Sequence, residues 1–248
     1  MALQQPDEIK GYYRDREVVA RYIERRTAQP LNGALHQAQV RFLRQLVAER
    51  APRCVLEIAP GPARLTAEVP VPGLGVGLEF SEGMLAAARA RIDARAGWRF
   101  VRTDAFHLPV RDGGADLVFT VRFIRRFHLA DRQRLYAEIH RALRPGGALV
   151  LDAQNRAVAL PHREARGLDR YPVYDELYDR PQLEAELHAA GFRVERVEGL
   201  IRHARVQRSL NQLRRFHLAG VARALIDAVE LVPSANPSTW LVLCEKAA

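Results

Sequence analysis

The sequence predicts an α/β fold: one doubly wound, seven-stranded sheet, with two extra helices before the first strand and a helical insertion before the last. Three observations predict it. An apolar run, Cys54 to Ile58, carries one acidic residue, Glu57, and breaks into Pro60-Gly61-Pro62 before a short helical pattern resumes. That is the pattern of a buried strand feeding a tight turn at a helix start. A second run, Leu74 to Glu79, ends on another carboxylate 18 positions beyond Gly61. Beyond it, strand-length apolar runs alternate with helical patterns, which implies parallel strands joined by right-handed crossovers.

At 248 residues with 48% apolar content, the chain is long enough to bury one core. Cys54 and Cys244 fall in predicted strands and read as small buried hydrophobes. No run approaches the roughly 18 apolar residues of a membrane span, and the N-terminal stretch is charged from Asp7 onward. A cytoplasmic protein is expected. The formal charge is +9, carried by 36 Arg against only Lys10 and Lys246. Such a skew is what a G+C-rich genome produces, and with 7% aromatic residues the composition points away from nucleic acid as partner.

In chain order, Pro6 to Gln29 reads as a helix with Tyr12, Val18, Val19 and Tyr22 toward one side. A Pro30-Leu31-Asn32-Gly33 break precedes a second helix from about Ala34 to Glu49. Both lie outside the core sheet, where they cover the site or pack on a sheet edge. After the strand ending at Glu79, Ser81 is the expected N-cap of a helix over Glu82 to Ala96, with Met84, Leu85, Ala88 and Ile92 inward. Trp98 to Val101 is the third strand, closing on Thr103-Asp104-Ala105-Phe106, and Ala115 to Thr120 is the fourth. A helix from about Asp131 to Leu143 is stopped by Arg144-Pro145-Gly146-Gly147, and Ala148 to Ala153 is the fifth strand.

Asn155 to Arg180, with Tyr171, Tyr174 and Tyr178, reads as a long loop; Pro181 to Ala190 is a helix and Phe192 to Gly199 the sixth strand. From Gly199 through Ile226 there is no acidic residue, while six arginines fall inside that span. Phe216 to Val232 is apolar except for Arg223, Asp227 and Glu230. It is expected to pack as core, or else to form a homodimer surface or pocket wall. Trp240 to Glu245 is the last strand.

Ligands of such sheets sit beyond the carboxyl ends of the strands. Those ends carry Glu57 to Gly61, Glu79, Asp104 and Thr120 to Arg122. A carboxylate about 20 residues past a glycine turn accepts ribose hydroxyls. A dinucleotide, however, wants three glycines in the turn. This chain has Gly61 alone, with Ala63 and Thr66 in the other two positions, and Glu57 would sit badly beside a pyrophosphate. A nucleoside cofactor with an ammonium group and no phosphate suits these residues better.

Val55 to Ala63, Gly77 to Leu85, Thr103 to Pro109, Asp116 to Phe119 and Leu143 to Gly147, in this order and spacing, resemble the class I S-adenosylmethionine (SAM)-dependent methyltransferases. Among these the chain is most similar to the small-molecule group that includes the ubiquinone and menaquinone enzymes. The resemblance covers residues 53 to 153 well and implies a Rossmann-like methyltransferase fold with a C-terminal antiparallel hairpin. It divides a single domain, 1–248, into an N-terminal helical cap (1–50), a SAM-binding core (51–153) and an acceptor-side half (154–248) with the insertion at 201–233.

By position, the resemblance implies that Glu57 and the Ala59-Pro60-Gly61-Pro62-Ala63 turn face the methionine part of SAM, and that Glu79 holds the ribose. Phe80 and Met84 line the adenine, Asp104 bonds its amino group with Thr103, Ala105 and Phe106 alongside, and Thr120 and Val121 pass under the sulfonium. Ala59 and Ala63 stand where the family commonly has glycine, and alanine is able to hold a strand-end conformation. No metal is implied.

Methyl transfer is an in-line displacement, and a base is needed only where the nucleophile must lose a proton. His128 leads the candidates for that base, with His36 and the Tyr12-Tyr13 pair as rivals. Arg122 and Arg126 suit an anionic acceptor, because guanidinium forks carboxylate or phosphate, or else pair with Asp104, Asp131 or Asp152. Tyr13 and Tyr174 are further acceptor contacts. The expected acceptor is a small carboxylated or phosphorylated metabolite methylated on oxygen or nitrogen. An RNA or protein methyltransferase, and a non-catalytic interaction protein, are the alternatives.

Overall fold

A computed structural model describes residues 6–13, 29–92, 97–171 and 173–247. Eight strands form one sheet: β1 (Cys54–Ile58), β2 (Leu74–Glu79), β3 (Trp98–Arg102), β4 (Ala115–Thr120), β5 (Leu143–Asn155), β6 (Leu177–Tyr178), β7 (Phe192–Leu200) and β8 (Thr239–Lys246). The order is β3-β2-β1-β4-β5-β8-β7, with the two-residue β6 pairing parallel to the end of β5 off this path. The seven expected strands are therefore present. The first five pair in parallel, and β8 enters antiparallel between β5 and β7.

Alternation along the strands divides the core in two. Val55, Leu117, Phe119, Val150, Leu241 and Leu243 face helix α2 (Pro30–Arg50), which packs Val40, Phe42, Leu43, Leu46 and Val47 on them. Leu56, Val118, Leu149, Leu151 and Val242 face the opposite way. They are covered by Tyr136 and Ile139 of α4 (Leu129–Ala142) and by Leu183 and Leu187 of α6 (Arg180–Ala189). So α2 is a layer on the sheet face rather than an edge attachment. It also begins at Pro30, not after a break, because proline at a first helical turn has no amide to leave unpaired.

Helix α1 spans Pro6–Tyr12. The rest of the helix expected to run to Gln29, including Val18, Val19 and Tyr22, lies outside the described residues up to residue 28. Helix α3 (Glu82–Arg91) is capped by Ser81, whose hydroxyl accepts from the Met84 amide at 3.4 Å. No α-helix follows the Pro-Gly-Pro turn: there are turns and then a short 3-10 segment, Thr66–Glu68, before Pro70 and Pro72 end it.

Two expectations beyond β5 need correcting. The supposed loop contains α5 (Arg156–Arg166), whose N-cap Asn155 accepts from the Ala157 amide at 3.0 Å. It buries only Ala159 and carries Pro161 within it, a residue that in sequence reads as a loop signal. Within the insertion lie α7 (Ala204–Leu210), a 3-10 segment over 211–216, and α8 (Ala219–Glu230). Helix α8 is not packed core. It buries Ala222 and Ile226 and leaves Phe216, Leu218, Val221, Leu225, Leu231 and Val232 at its flanks and outer face exposed.

Candidate functional site

The turn and the second carboxylate singled out in the sequence touch directly. Gly61 donates its amide to Glu79 Oε2 at 3.0 Å, and Ser81 donates to Oε1 at 2.8 Å. Parallel register sets this up, since β1 lies against β2 with Ile58 opposite Leu78. Glu79 is 7% exposed and lines a cleft beyond the strand ends. Burial raises its pKa, opposed by the amides of Ser81, Gly61 and Phe80. A nearly buried carboxylate that keeps acceptor positions toward a cleft suits a neutral diol.

The turn is held in an unusual conformation. Ala59 (φ 55°), Gly61 (φ 57°) and Ala63 (φ 57°) are all left-handed, as is Arg122 (φ 65°) at the end of β4. Ala59 and Ala63 are therefore not in the strand-end conformation expected of them, and each costs about 1 kcal/mol relative to glycine. With no α-helix N-terminus behind the turn, the helix dipole that stabilises a pyrophosphate is absent here.

The second half of the cleft is aromatic. Asp104 Oδ1 accepts from the Phe106 amide at 3.1 Å, which fixes the carboxylate beside the rings of Phe80 and Phe106. Lys10 of α1 occupies this corner: its Nζ donates to Asp104 Oδ2 at 2.7 Å and lies 5.1 Å and 5.5 Å from the ring centroids of Phe80 and Phe106. The Lys10 bond, offset by burial, holds Asp104 below the usual carboxylate range. A nitrogen donor between two aromatic rings and a carboxylate marks out the place of an amino-substituted base. As closed by α1, the cleft has a volume of about 100 Å³.

Of the expected cofactor residues, the cleft brings together Ala59, Gly61, Glu79, Phe80, Met84, Thr103, Asp104, Ala105, Phe106 and Val121. Pro60, Ala63, Thr120 and Glu57 do not line it. Thr120 donates its hydroxyl to the Ile58 carbonyl at 2.9 Å, and Ala63 is fully buried. Glu57, 3% exposed, sits behind the turn and accepts from the Thr66 hydroxyl. Its pKa is pushed up to about 7 by burial, against the Thr66 bond and Arg64. The folded chain therefore binds this proton more tightly than the unfolded one, and stability falls as pH rises from the ordinary carboxyl range to about 7. Glu57→Gln is expected to be more stable than the wild type at pH 8, by about 2–3 kcal/mol, the gain vanishing toward pH 4.5. Urea unfolding at the two pH values checks it; equal stability at pH 8 would contradict the burial argument.

Of the base candidates, His36, His128 and Tyr12 do not line the cleft, and Tyr13 does. His36 is tied up on α2, its Nε2 2.5 Å from Glu68 Oε1 and its Nδ1 against Arg64, and burial lowers its pKa. His128, at the N-cap of α4, stacks on Tyr174 with ring centroids 4.1 Å apart. Tyr174 in turn donates to Glu176 at 2.6 Å, and its pKa is pushed up to about 12 by burial and that bond. Tyr12 packs edge-on against Tyr13, and only Tyr13 reaches the cleft.

Arg122 and Arg126 do line the cleft. The Arg122 amide donates to Asp152 Oδ1 at 2.5 Å, and Arg126 lies 3.6 Å from Asp175. Between them Arg125, 2% exposed, turns inward to Asp152 and Asp175, and Arg163 of α5 joins Asp175 from the other side. The basic stretch is thus partly neutralised. The acid-free insertion contributes nothing to the lining; among the described residues the cations there are Lys10, Arg122 and Arg126.

Sequence reasoning missed Ile9, Lys10, Leu78, Ser81, Phe123 and Phe127 of the lining. The two phenylalanines carried a signal, i,i+4 aromatics beside the basic residues, and their rings meet edge-on at 5.0 Å. Lys10 had no local signal.

Residues 56–151 match the family model described as a methyltransferase domain, type 11. The core is a class I methyltransferase domain of this group. A demethylmenaquinone methyltransferase of Thermus thermophilus is 38% identical over 110 residues, 43% of this chain and 49% of that protein. A malonyl-[acyl-carrier protein] O-methyltransferase of Methylococcus capsulatus is 34% identical over 117 residues, 46% and 42% of the two chains. The matched segments span about half the length of these curated relatives. A solved SAM-dependent methyltransferase of Thermotoga maritima superposes with a TM-score of 0.67 at 20% identity over 95% of this chain and 99% of that one, which shows the fold. A probable S-adenosylmethionine-dependent methyltransferase of Mycolicibacterium smegmatis is 30% identical over 186 residues, 65% of this chain and 66% of that protein, and the donor set fits that cofactor: a buried carboxylate for a diol, an aromatic slot with a carboxylate for an amino group, and no phosphate cradle.

Proposed function

We propose that this protein transfers a methyl group from SAM to an oxygen or nitrogen of a small anionic metabolite. The observation that carries the reading is the joining of two kinds of group in one cleft: Glu79 and Asp104 for the nucleoside, and Arg122 and Arg126 for the acceptor. Bound SAM supplies the methyl as an electrophile. The chain's own part is to orient and to exclude water, with Phe123 and Phe127 giving the acceptor a dry wall and the two guanidiniums fixing its anion. Among the described residues no histidine lines the cleft and Tyr13 is the one base candidate there, which favours acceptors that are already ionised, such as a carboxylate, or that lose their proton to solvent. The M. capsulatus relative, whose name gives a malonyl acceptor, accords with this class.

The test is methyl transfer from labelled SAM to a panel of small carboxylates and phosphates, with neutral quinols as the comparison. Transfer to quinols alone would end the anionic reading.

Helix α1 covers the cofactor slot, so binding must displace Lys10 from Asp104. Lys10→Ala is expected to tighten SAM binding about three- to tenfold, because part of a charge-assisted bond of roughly 1.5–3 kcal/mol no longer has to be broken. Calorimetry measures this directly. Weaker binding in the variant would mean that Lys10 holds the cofactor rather than competing with it.

The exposed apolar residues of 216–232 support the homodimer expected of that segment. Sedimentation at rising concentration is its test, and a monomer throughout would end it.

A further inference from the structure

A second cavity, of about 520 Å³, opens between α5 and the Arg202–Arg208 segment and shares no lining residue with the cofactor cleft. One wall is apolar, from Val158 and Pro161 of α5 and Val206 of α7. The rest is cationic: Arg202, Arg205 and Arg208, with His162 and His203. Among the described residues no Asp or Glu lines it. Here the acid-free run of the sequence finds its place, as three of its arginines line one cavity together with residues of α5.

The contrast with the rest of the molecule is informative. Arg125 and Arg132 are buried against pairs of carboxylates. Arg208, half-buried, reaches the Ser238 hydroxyl at 3.5 Å, while Arg202 Nε donates to the Gly199 carbonyl at 3.3 Å. The carboxylate of Glu230 stays out of the lining, engaged by the amides of Ile201 and Arg202 at 2.9 and 3.0 Å and by Gln207 at 2.6 Å. Burial lowers the pKa of Arg208, with Tyr171 opposing and Arg166 adding to it, and burial with Arg208, Arg166 and Arg163 lowers that of His162. Converging like charges held partly out of water are a cost that an anion would relieve. Three guanidiniums match a multiply charged oxyanion better than a single carboxylate, and the volume with its apolar wall leaves room for an organic body beside it.

We propose that this cavity binds the phosphate of a small phosphorylated ligand, with Arg202, Arg205 and Arg208 on its oxygens and the Val158–Pro161 wall against its organic part. The site stands apart from the methyl-transfer reading and does not depend on it.

The experiment is calorimetric titration of the full chain with inorganic pyrophosphate, in the wild type and in Arg208→Gln and Arg205→Gln, each also titrated with SAM. Saturable binding is expected in the wild type, weakened tenfold or more by Arg208→Gln and about threefold or more by Arg205→Gln, with SAM binding alike in all three. Thermal unfolding confirms that Arg208→Gln is folded; should it not fold, the exposed Arg205 variant decides. No pyrophosphate binding by the wild type, or equal binding in the folded variants, overturns the proposal. A single-stranded RNA that binds through these arginines and displaces pyrophosphate at far lower concentration would reassign the surface to nucleic acid. Loss of SAM binding with pyrophosphate binding intact would count against the methyltransferase reading alone.

Discussion

Glu79→Ala is expected to weaken SAM binding by ten- to a hundredfold or more. The carboxylate is the cleft's acceptor for a diol, and each charge-assisted hydrogen bond it makes contributes roughly 1.5–3 kcal/mol. Its loss also strands the Gly61 and Ser81 amides, which now donate to it at 3.0 and 2.8 Å, so the turn loosens as well. Glu79→Gln separates the two effects, because an amide oxygen still accepts from one of those amides. Burial raises the Glu79 pKa, so the carboxylate takes up a proton at higher pH than an exposed glutamate. SAM affinity should therefore decline on mild acidification in the wild type and stay flat in Glu79→Gln. Calorimetry across pH measures both, and wild-type affinity in Glu79→Ala would remove the cofactor assignment.

Asp175→Asn is expected to cost about 3–5 kcal/mol of stability at pH 7, the range for removing one partner of a buried ion pair. Asp175 is buried and three guanidiniums converge on it, those of Arg125, Arg126 and Arg163. Burial alone would raise its pKa, but Arg125, Arg126 and Arg163 hold it below the usual carboxylate range. A depressed folded pKa gives a contribution that is full above the ordinary carboxyl range and is lost as pH falls through the folded value. The gap between wild type and variant should therefore be widest near neutrality and close in strong acid. Urea unfolding over that range checks it, and a difference below about 1 kcal/mol at pH 7 would show that Asp152 alone suffices for Arg125.

Much of the fold was legible because it is written in local patterns. Buried parallel strands need unbroken apolar runs, and β2 and β4 fall where those runs place them. The Ser81 cap and the carboxylate at the end of β2 needed only their spacing to be recognised. What was illegible carried misleading local signals. Helix α5 buries one side chain and carries Pro161 within it, which in sequence reads as a loop signal. Helix α8 looks like core because it is apolar nearly all round, yet only Ala222 and Ile226 are covered. The two histidine candidates lie off the cleft for a related reason: a histidine near the right strand end is common, but its ring direction is set by neighbours such as Glu68 and Tyr174 that lie far off in sequence.

The sequence by itself determined the strands of the core, the turn and the two carboxylates of the nucleoside half, since each depends on residue types at short, fixed separations. Only the tertiary structure decided that Lys10 closes the adenine corner, that Glu57 lies behind the turn and that Asp175 gathers three arginines. It also decided that the acid-free insertion faces a cavity of its own. These are long-range encounters of charged side chains, whose partners are chosen by packing and desolvation over the whole chain rather than by any period along it.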